Sequence, residues 1–346
     1  MAYATPTRER RVLKAGHSSI AVTLPKPWAE AMNLRPGDLV VFDQNDDGTL
    51  YLRPAPGPLI AAPGLPYLVE AHSFDTPGLL ERLVVGAYRV GHDSIEIRTQ
   101  VALGPERIEE LQQAARRLLG VSVVAQEPNR VLLQNFIDPS KYGLPQLVQR
   151  MKMILVALIE ESETLVRKGT RSRRLTSINE ETNRVLALLV RQLFLASRDW
   201  SLARRIGSPD PRQLLEWRVV VHSLEELGGL VGEAARDLHE GAPAEIVKDP
   251  SIPPLLARLK ECLANVVEAL VHPSLPAAME ACAESGLLAE AARTAARQLK
   301  SRARKGGVHT AMIAVQRSAS CLSLLAQLAL DRAVSGTPGT VLRPTN

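Results

Sequence analysis

The chemistry most plainly written in this sequence is the binding of anions. Up to Lys26 the charged residues are Arg8, Arg10, Arg11, Lys14 and Lys26 against Glu9 alone, whereas residues 27–55 hold Arg35 and Arg53 against Glu30, Asp38, Asp43, Asp46 and Asp47. One end of the first fifty-odd residues is basic and the other acidic. Guanidinium and ammonium groups on an exposed strand edge neutralise phosphates and release counterions, a sequence-independent attraction that weakens with salt. The competing reading is that such cations only guard a strand edge against unwanted pairing. A net charge of +5 over 346 residues would not by itself imply nucleic acid. The placement of the charges matters more than their sum.

A second pattern concerns metals. His222, Glu226 and Glu233 lie at near-helical spacing and could share one helix face. Convergent donors of this kind suit a metal ion, while ordinary i,i+4 pairing on a solvated face accounts for the same spacing. Two basic clusters, Arg167-Lys168 with Arg171, Arg173 and Arg174, and Lys300 with Arg302, Arg304 and Lys305, fall where helices are expected to end. Cations there complement the helix dipole, and nucleic-acid contact is the alternative. No Ser/His/Asp or Cys/His set, no phosphate-cradling glycine loop and no catalytic carboxylate pair stands out, so an enzyme is the least supported class. Cys262, Cys282 and Cys321 lie far apart in apolar helical patterns. Buried free thiols in a reducing compartment are expected.

These residues must be positioned by elements of two periods. Residues 11–14, 20–24, 39–42 and 49–52 read as four short strands, with a helix over 26–34 that carries Pro27 in its first turn. Arg35-Pro36-Gly37-Asp38 and Asn45-Asp46-Asp47-Gly48 are turns. A module of this size with so few large apolar side chains cannot bury enough surface alone, so a dimeric core is expected. Residues 54–58 form a stiff Pro-rich linker. Residues 66–138 then predict strand–helix–strand–helix–strand–strand, with strands at 67–73, 94–99, 121–126 and 130–136. The first helix is capped at Asp75-Thr76-Pro77 and the second opens at Gly104-Pro105-Glu106.

From Lys141 the period becomes helical. Leu144, Leu147, Val148, Met151, Leu155 and Leu158 fall on one stripe, and later helices are predicted over 180–198, 211–239, 253–272, 275–304 and 308–333. Six helices in two groups of three suggest a duplicated three-helix unit. No apolar stretch is expected to approach the roughly 18 to 20 residues that span a bilayer, and there is no signal-like opening run. A cytoplasmic protein without membrane insertion follows.

Lys14-Ala15-Gly16-His17-Ser18-Ser19-Ile20-Ala21-Val22-Thr23-Leu24-Pro25-Lys26, followed by Leu34-Arg35-Pro36-Gly37-Asp38, resembles the AbrB/SpoVT swapped-hairpin family of DNA-binding domains. The resemblance covers residues 8–54. It implies a dimer that lays basic strands and loops on double-stranded DNA, with Arg8, Arg10, Arg11, Lys14, His17 and Ser18 facing phosphates or groove edges and Lys26 beside them. Residues 84–98 and 128–134 are similar to the connecting domain of archaeal-type PhoU proteins that begin with an AbrB module, for which a spacer or dimerisation role is expected.

The helical body resembles PhoU, a phosphate-signalling family with two three-helix repeats and carboxylate motifs for metal clusters. Glu180-Glu181-Thr182-Asn183-Arg184 and Ser223-Leu224-Glu225-Glu226-Leu227-Gly228-Gly229 fall where those motifs would lie, which adds Glu180 to the metal candidates. Asn183 and Gly229 stand where Asp is expected, and Ser318-Ala319-Ser320-Cys321 has no carboxylate. Loss of anionic donors lowers affinity for hard metals steeply, so no cofactor is expected.

The expected fold is multidomain α+β. An N-terminal swapped-hairpin β-barrel (residues 1–55) precedes a small α+β connecting domain (63–138), a PhoU-like all-α bundle of two three-helix repeats (141–334) and a tail (335–346). The expected function is a homodimeric transcriptional regulator of phosphate uptake whose bundle senses a signal or binds a phosphate-transport or signalling protein. The alternatives are a protein–protein adaptor that does not bind DNA and a metal-binding sensor bundle.

Overall fold

The computed structural model describes residues 9–16, 19–44, 48, 50–54, 66–70, 76–168, 174–241, 252–302 and 307–335. The chain divides into two compact units, residues 1–62 and 63–346.

The first unit is two separate antiparallel hairpins and one short helix: β1 (Leu13–Ala15), β2 (Ser19–Ala21), α1 (Lys26–Ala31), β3 (Val40–Gln44) and β4 (Leu50–Pro54). The β1–β2 register pairs Leu13 with Ala21 and Ala15 with Ser19. Gly16 opens the connecting turn at φ 73°, a left-handed conformation that glycine adopts without a Cβ clash. Pro27 sits in the first turn of α1 as predicted. In the following turn the Arg35 N–H donates to Asp38 Oδ2 at 2.7 Å, and the Asp38 N–H donates to the Arg35 carbonyl at 3.0 Å. Among the described residues of this unit no side chain is buried.

The second unit begins with a four-stranded sheet of β5 (Tyr67–Glu70), β6 (Ser94–Arg98), β7 (Val121–Glu127) and β8 (Arg130–Asn135) in the order β5-β6-β8-β7. β5 and β6 are parallel, so the crossover α2 (Leu79–Arg89) must lie on a face of the sheet; β8 is antiparallel to both neighbours. α3 (Pro105–Arg116) joins α2 over the alternate residues Val69, Ile95, Ile97, Val131 and Leu133, which are buried with Leu80, Val84 and Leu111. The β7–β8 hairpin turns at Pro128-Asn129, between the strands predicted at 121–126 and 130–136. The cap of α2 differs from expectation: Gly78 at φ 80° is the N-cap and no side chain caps the helix, while Asp75 lies outside the described residues.

On the opposite sheet face the Glu96 carboxylate is 2% exposed because the guanidinium groups of Arg98 and Arg130 cover it, with Arg130 Nε donating at 2.8 Å. These two hydrogen bonds, Arg130 foremost, hold the carboxyl below its ordinary pKa.

The helical body comprises α4 (Leu144–Lys168), α5 (Leu175–Ala196), the short α6 (Trp200–Arg205), α7 (Pro211–Gly241), α8 (Ile252–Val271), α9 (Leu275–Arg302) and α10 (Gly307–Ser335). α4, α5 and α7 pack on one another, as do α8, α9 and α10, and the two groups meet through α4 on α8 and α7 on α10. The α4 stripe read from the sequence is buried throughout, and the burial continues past Leu158 to Leu165 and Val166. α5 starts earlier than predicted, and α6 was not anticipated. Its signal is Asp199, which caps the Ser201 and Leu202 N–H groups at 2.9 and 3.2 Å.

Trp217 is fully buried, with the Arg332 guanidinium 4.2 Å from its ring centre. Burial pushes the Cys262 and Cys321 thiols up to about 12. One expectation is corrected here: residues Met312–Ser335 are long and apolar enough to cross a membrane. Arg317, Asp331 and Arg332, with scattered Ser and Gln residues, interrupt the apolar run. In the fold its Ala319, Leu322, Leu325, Ala326 and Ala329 belong to the bundle core.

Candidate nucleic-acid interface

Arg10 and Arg11 lie in the segment leading into β1, and Lys14 occupies β1 opposite Ile20. All three are exposed, and none has an ion-pair partner among the described residues. Three cations along five residues of one exposed segment, Lys14 on β1 and Arg10 and Arg11 just before it, present the chemistry a phosphate backbone requires. Lys26 stands apart on α1, where its ammonium is 3.7 Å from Glu30 with both side chains mostly exposed. Such a pair is weak, so Lys26 stays free to exchange Glu30 for another anion. Arg8, His17 and Ser18 lie outside the described residues.

The same hairpin exposes apolar side chains. Val12, Leu13, Ile20 and Val22 are all more than half exposed, and Leu39, Phe42 and Leu50 repeat the pattern on the second hairpin. Two-stranded sheets are marginal in water without a hydrophobic face to pack on. A second copy of the module would supply that face.

The metal candidates do not converge. Among the described residues no group of three or more His, Cys, Asp or Glu side chains is placed to hold a metal ion. His222 and Glu233 lie on exposed positions of α7. Glu226 accepts from Arg317 of α10 at 3.4 Å, and Glu180 pairs with Arg184 one turn on. Helical spacing put His222, Glu226 and Glu233 along one helix, but that helix turns them to solvent with no acidic wall opposite. Gly228 and Gly232, in and after the second acidic motif, serve packing: a Cβ there would come within 3.1 Å of Thr182 and 2.8 Å of Asn179 on α5. The residues present therefore do not fit a multinuclear cluster.

Of the basic clusters, Arg167 and Lys168 occupy the last turn of α4, where cations offset the helix dipole. Arg174 pairs with Glu161 at 3.5 Å. Arg171, Arg173, Arg304, Lys305 and the side chains of Lys300 and Arg302 fall outside the described residues.

A junction missed by the sequence reading ties the sheet layer to the bundle. Arg191 on α5, with a side chain only 2% exposed, donates from Nη1 to the carbonyls of Tyr88 at 2.7 Å and His92 at 3.0 Å, and from Nη2 to Asp93. Its guanidinium lies 4.8 Å from the Tyr88 ring centre. Burial raises the Tyr88 hydroxyl pKa to about 12, although Arg191 pulls it the other way. Gly91, at φ 104°, passes so close to α5 that a Cβ would meet Leu195 at 2.8 Å. A second tie runs from Arg89 Nη2 to Glu225 Oε1 at 3.0 Å. The available signal was Arg191, next to Gln192, in an otherwise apolar stretch from Val185 to Leu195, which reads as a satisfied buried cation rather than a solvated one.

Comparison with known proteins reaches the first unit only. The family model described as "Antidote-toxin recognition MazE, bacterial antitoxin" matches residues 13–59. No curated protein and no solved structure matches the chain. The matched stretch begins within the basic hairpin, after Arg10 and Arg11, and contains Lys14 and Lys26. This chain carries a MazE/AbrB-type domain at its N-terminal end, ahead of a largely helical body.

Proposed function

We propose that this chain is a DNA-binding regulator that grips duplex DNA as a homodimer through its N-terminal module. The observation that carries this reading is the pairing of unpartnered cations Arg10, Arg11 and Lys14 with a module in which no described side chain is buried. Two interlaced copies would cover the apolar faces and set two basic strands side by side. The AbrB-type match over residues 13–59 supports the same reading.

The helical body is read as the part that receives a signal or a partner protein. Its two mutually packed groups, α4–α5–α7 and α8–α9–α10, are what a duplicated PhoU-like bundle would give, and a role in phosphate homeostasis follows from that likeness. The reading is of a cytoplasmic, non-enzymatic protein whose connecting layer serves as a spacer or in dimerisation.

Fluorescence anisotropy with duplex DNA tests the assignment. Replacing Arg10, Arg11 and Lys14 together by Ala removes six phosphate contacts per dimer and should lower affinity by about a hundredfold or more at low salt. Unchanged affinity in that variant would reject these residues as the interface.

The matched family's description names toxin recognition, which favours a second reading in which the module clamps a protein partner. That reading predicts stable dimers with no salt-dependent affinity for DNA.

A further inference from the structure

A trough of about 680 Å³ runs along the outer face of α4. Its floor is Pro145, Met153, Ile154 and Ala157, and its walls bring Ile178 from α5 and Val271 from α8. The α4 residues span about 18 Å of helix at 1.5 Å per residue, so the trough is elongated. Met153 is 64% exposed within this apolar floor, whereas the adjoining Ile154 is 6% exposed. A long thioether side chain standing in water on an apolar surface is what an apolar ligand would cover.

The rim is polar and carries more positive than negative groups. Arg150, Arg174 and His272 line it against a single carboxylate, Glu181. Arg150 Nη2 donates to Glu181 Oε1 at 2.8 Å, yet the two side chains are 45% and 42% exposed. A pair this wet holds weakly and exchanges partners readily. Arg174 and His272 make longer contacts to Glu161 at 3.5 Å and Glu268 at 3.6 Å, both outside the trough lining.

We infer that this trough binds an elongated amphipathic anion. The apolar chain lies along Met153 and Ala157, and its carboxylate or phosphate takes Arg150 in place of Glu181, whose own carboxylate is then hydrated. Two arginines against one glutamate select an anionic head over a cationic one. α5 links the site to the rest of the unit. Ile178 and Glu181 line the trough, and Arg191, ten residues beyond Glu181 and about 15 Å along the helix, holds the Tyr88 and His92 carbonyls of the sheet layer. An occupied trough thus acts on the helix that anchors that layer. The inference goes beyond the DNA-binding reading and is measured without DNA, so either can fail alone.

Isothermal titration of the full-length chain with sodium decanoate, decyl phosphate and decyltrimethylammonium, each below its micelle-forming concentration, tests it. Both anions should bind at one per chain, with the cation about tenfold weaker or more. Shortening decanoate to octanoate should weaken binding about two- to fourfold per methylene removed. Ala157→Phe fills the floor and should weaken decanoate about tenfold, and Arg150→Gln should abolish the preference for anions over the cation. Met153→Gln, at an exposed position that tolerates the change, supplies the same test if Ala157→Phe fails to fold.

Equal binding of anion and cation, no heat at millimolar decanoate, or unchanged affinity in both floor variants would overturn the site. Co-sedimentation with phosphatidylglycerol vesicles, without binding of the monomeric anions, would assign the surface to a membrane and overturn it equally.

Discussion

In the helical body Leu155, Val185, Trp217 and Leu322 are excluded from water by one chain alone, whereas in the N-terminal unit Ile20 and Leu39 are each 77% exposed and Phe42 is 64% exposed. The two regions contain similar apolar residues and differ in how much chain is available to cover them. Long amphipathic helices close a core among themselves. Two hairpins of three and five residues per strand cannot. The body closes its own core, and the described residues of the module leave their apolar faces open, as the proposed dimer requires. That difference separates the effects of substitutions in the two regions.

The largest effects belong to the body. Arg191→Ala leaves the Tyr88 and His92 carbonyls without their buried donor, while Asp93, 65% exposed, is hydrated instead, and should cost about 2–3 kcal/mol, read by urea unfolding of the full chain. Leu155→Ala should cost about 2–5 kcal/mol through the cavity it leaves. A loss under 1 kcal/mol in both would mean the body's packing is not what holds it.

Next comes the module. Phe42→Ser replaces a side chain that one copy leaves in water, and an exposed position of that kind ordinarily moves stability by no more than about 0.5 kcal/mol. If a second copy covers it, the dimer should weaken by about 2 kcal/mol, seen as a rise in the dissociation constant by sedimentation equilibrium. A dimer constant unmoved by this change would erase the contrast between the two regions.

A pH-dependent effect sharpens the picture of the sheet layer. Arg130 and Arg98 hold the Glu96 carboxyl below its ordinary value, so its contribution is present above the unfolded-state value near 4.5 and is lost as the pH falls through the lower, folded-state value. Glu96→Gln should cost about 1–3 kcal/mol at neutral pH and progressively less in acid. A cost that does not shrink with falling pH would show that the carboxylate charge is not what Arg130 and Arg98 recognise. The smallest effect is expected at Arg317→Ala, which breaks an exposed pair with Glu226 and should change stability by less than about 1 kcal/mol.

The sequence made these regions legible to different degrees, for physical reasons. The α4 stripe declares its buried face because periodicity and burial have the same cause, whereas alternation in Ser94-Ile95-Glu96-Ile97-Arg98 marks Ile95 and Ile97 as core without showing that Arg98 and Arg130 cover Glu96 on the other face. The turn residues Gly16 and Pro36-Gly37 likewise mark hairpin and helix ends through their own backbone preferences. What was not legible depends on tertiary approach. Arg191 stands in an apolar stretch, but the groups that satisfy it, the Tyr88 and His92 carbonyls and Asp93, come from elements about a hundred residues away. α6 rests on one aspartate cap. The acidic candidates on α7 and α5 share helical spacing but not a common centre, since spacing along one helix says nothing about what a neighbouring helix places opposite. At the candidate interface, Arg10, Arg11 and Lys14 were legible as charge, and their lack of partners among the described residues required the structure.

The most direct test of the account is the salt dependence of duplex DNA binding by the intact chain. Three cations from each of two copies predict that the logarithm of the association constant falls against the logarithm of salt concentration with a slope of about −5. A slope near zero, or no binding at low salt, would contradict the claim that two copies of the basic hairpin grip the phosphate backbone.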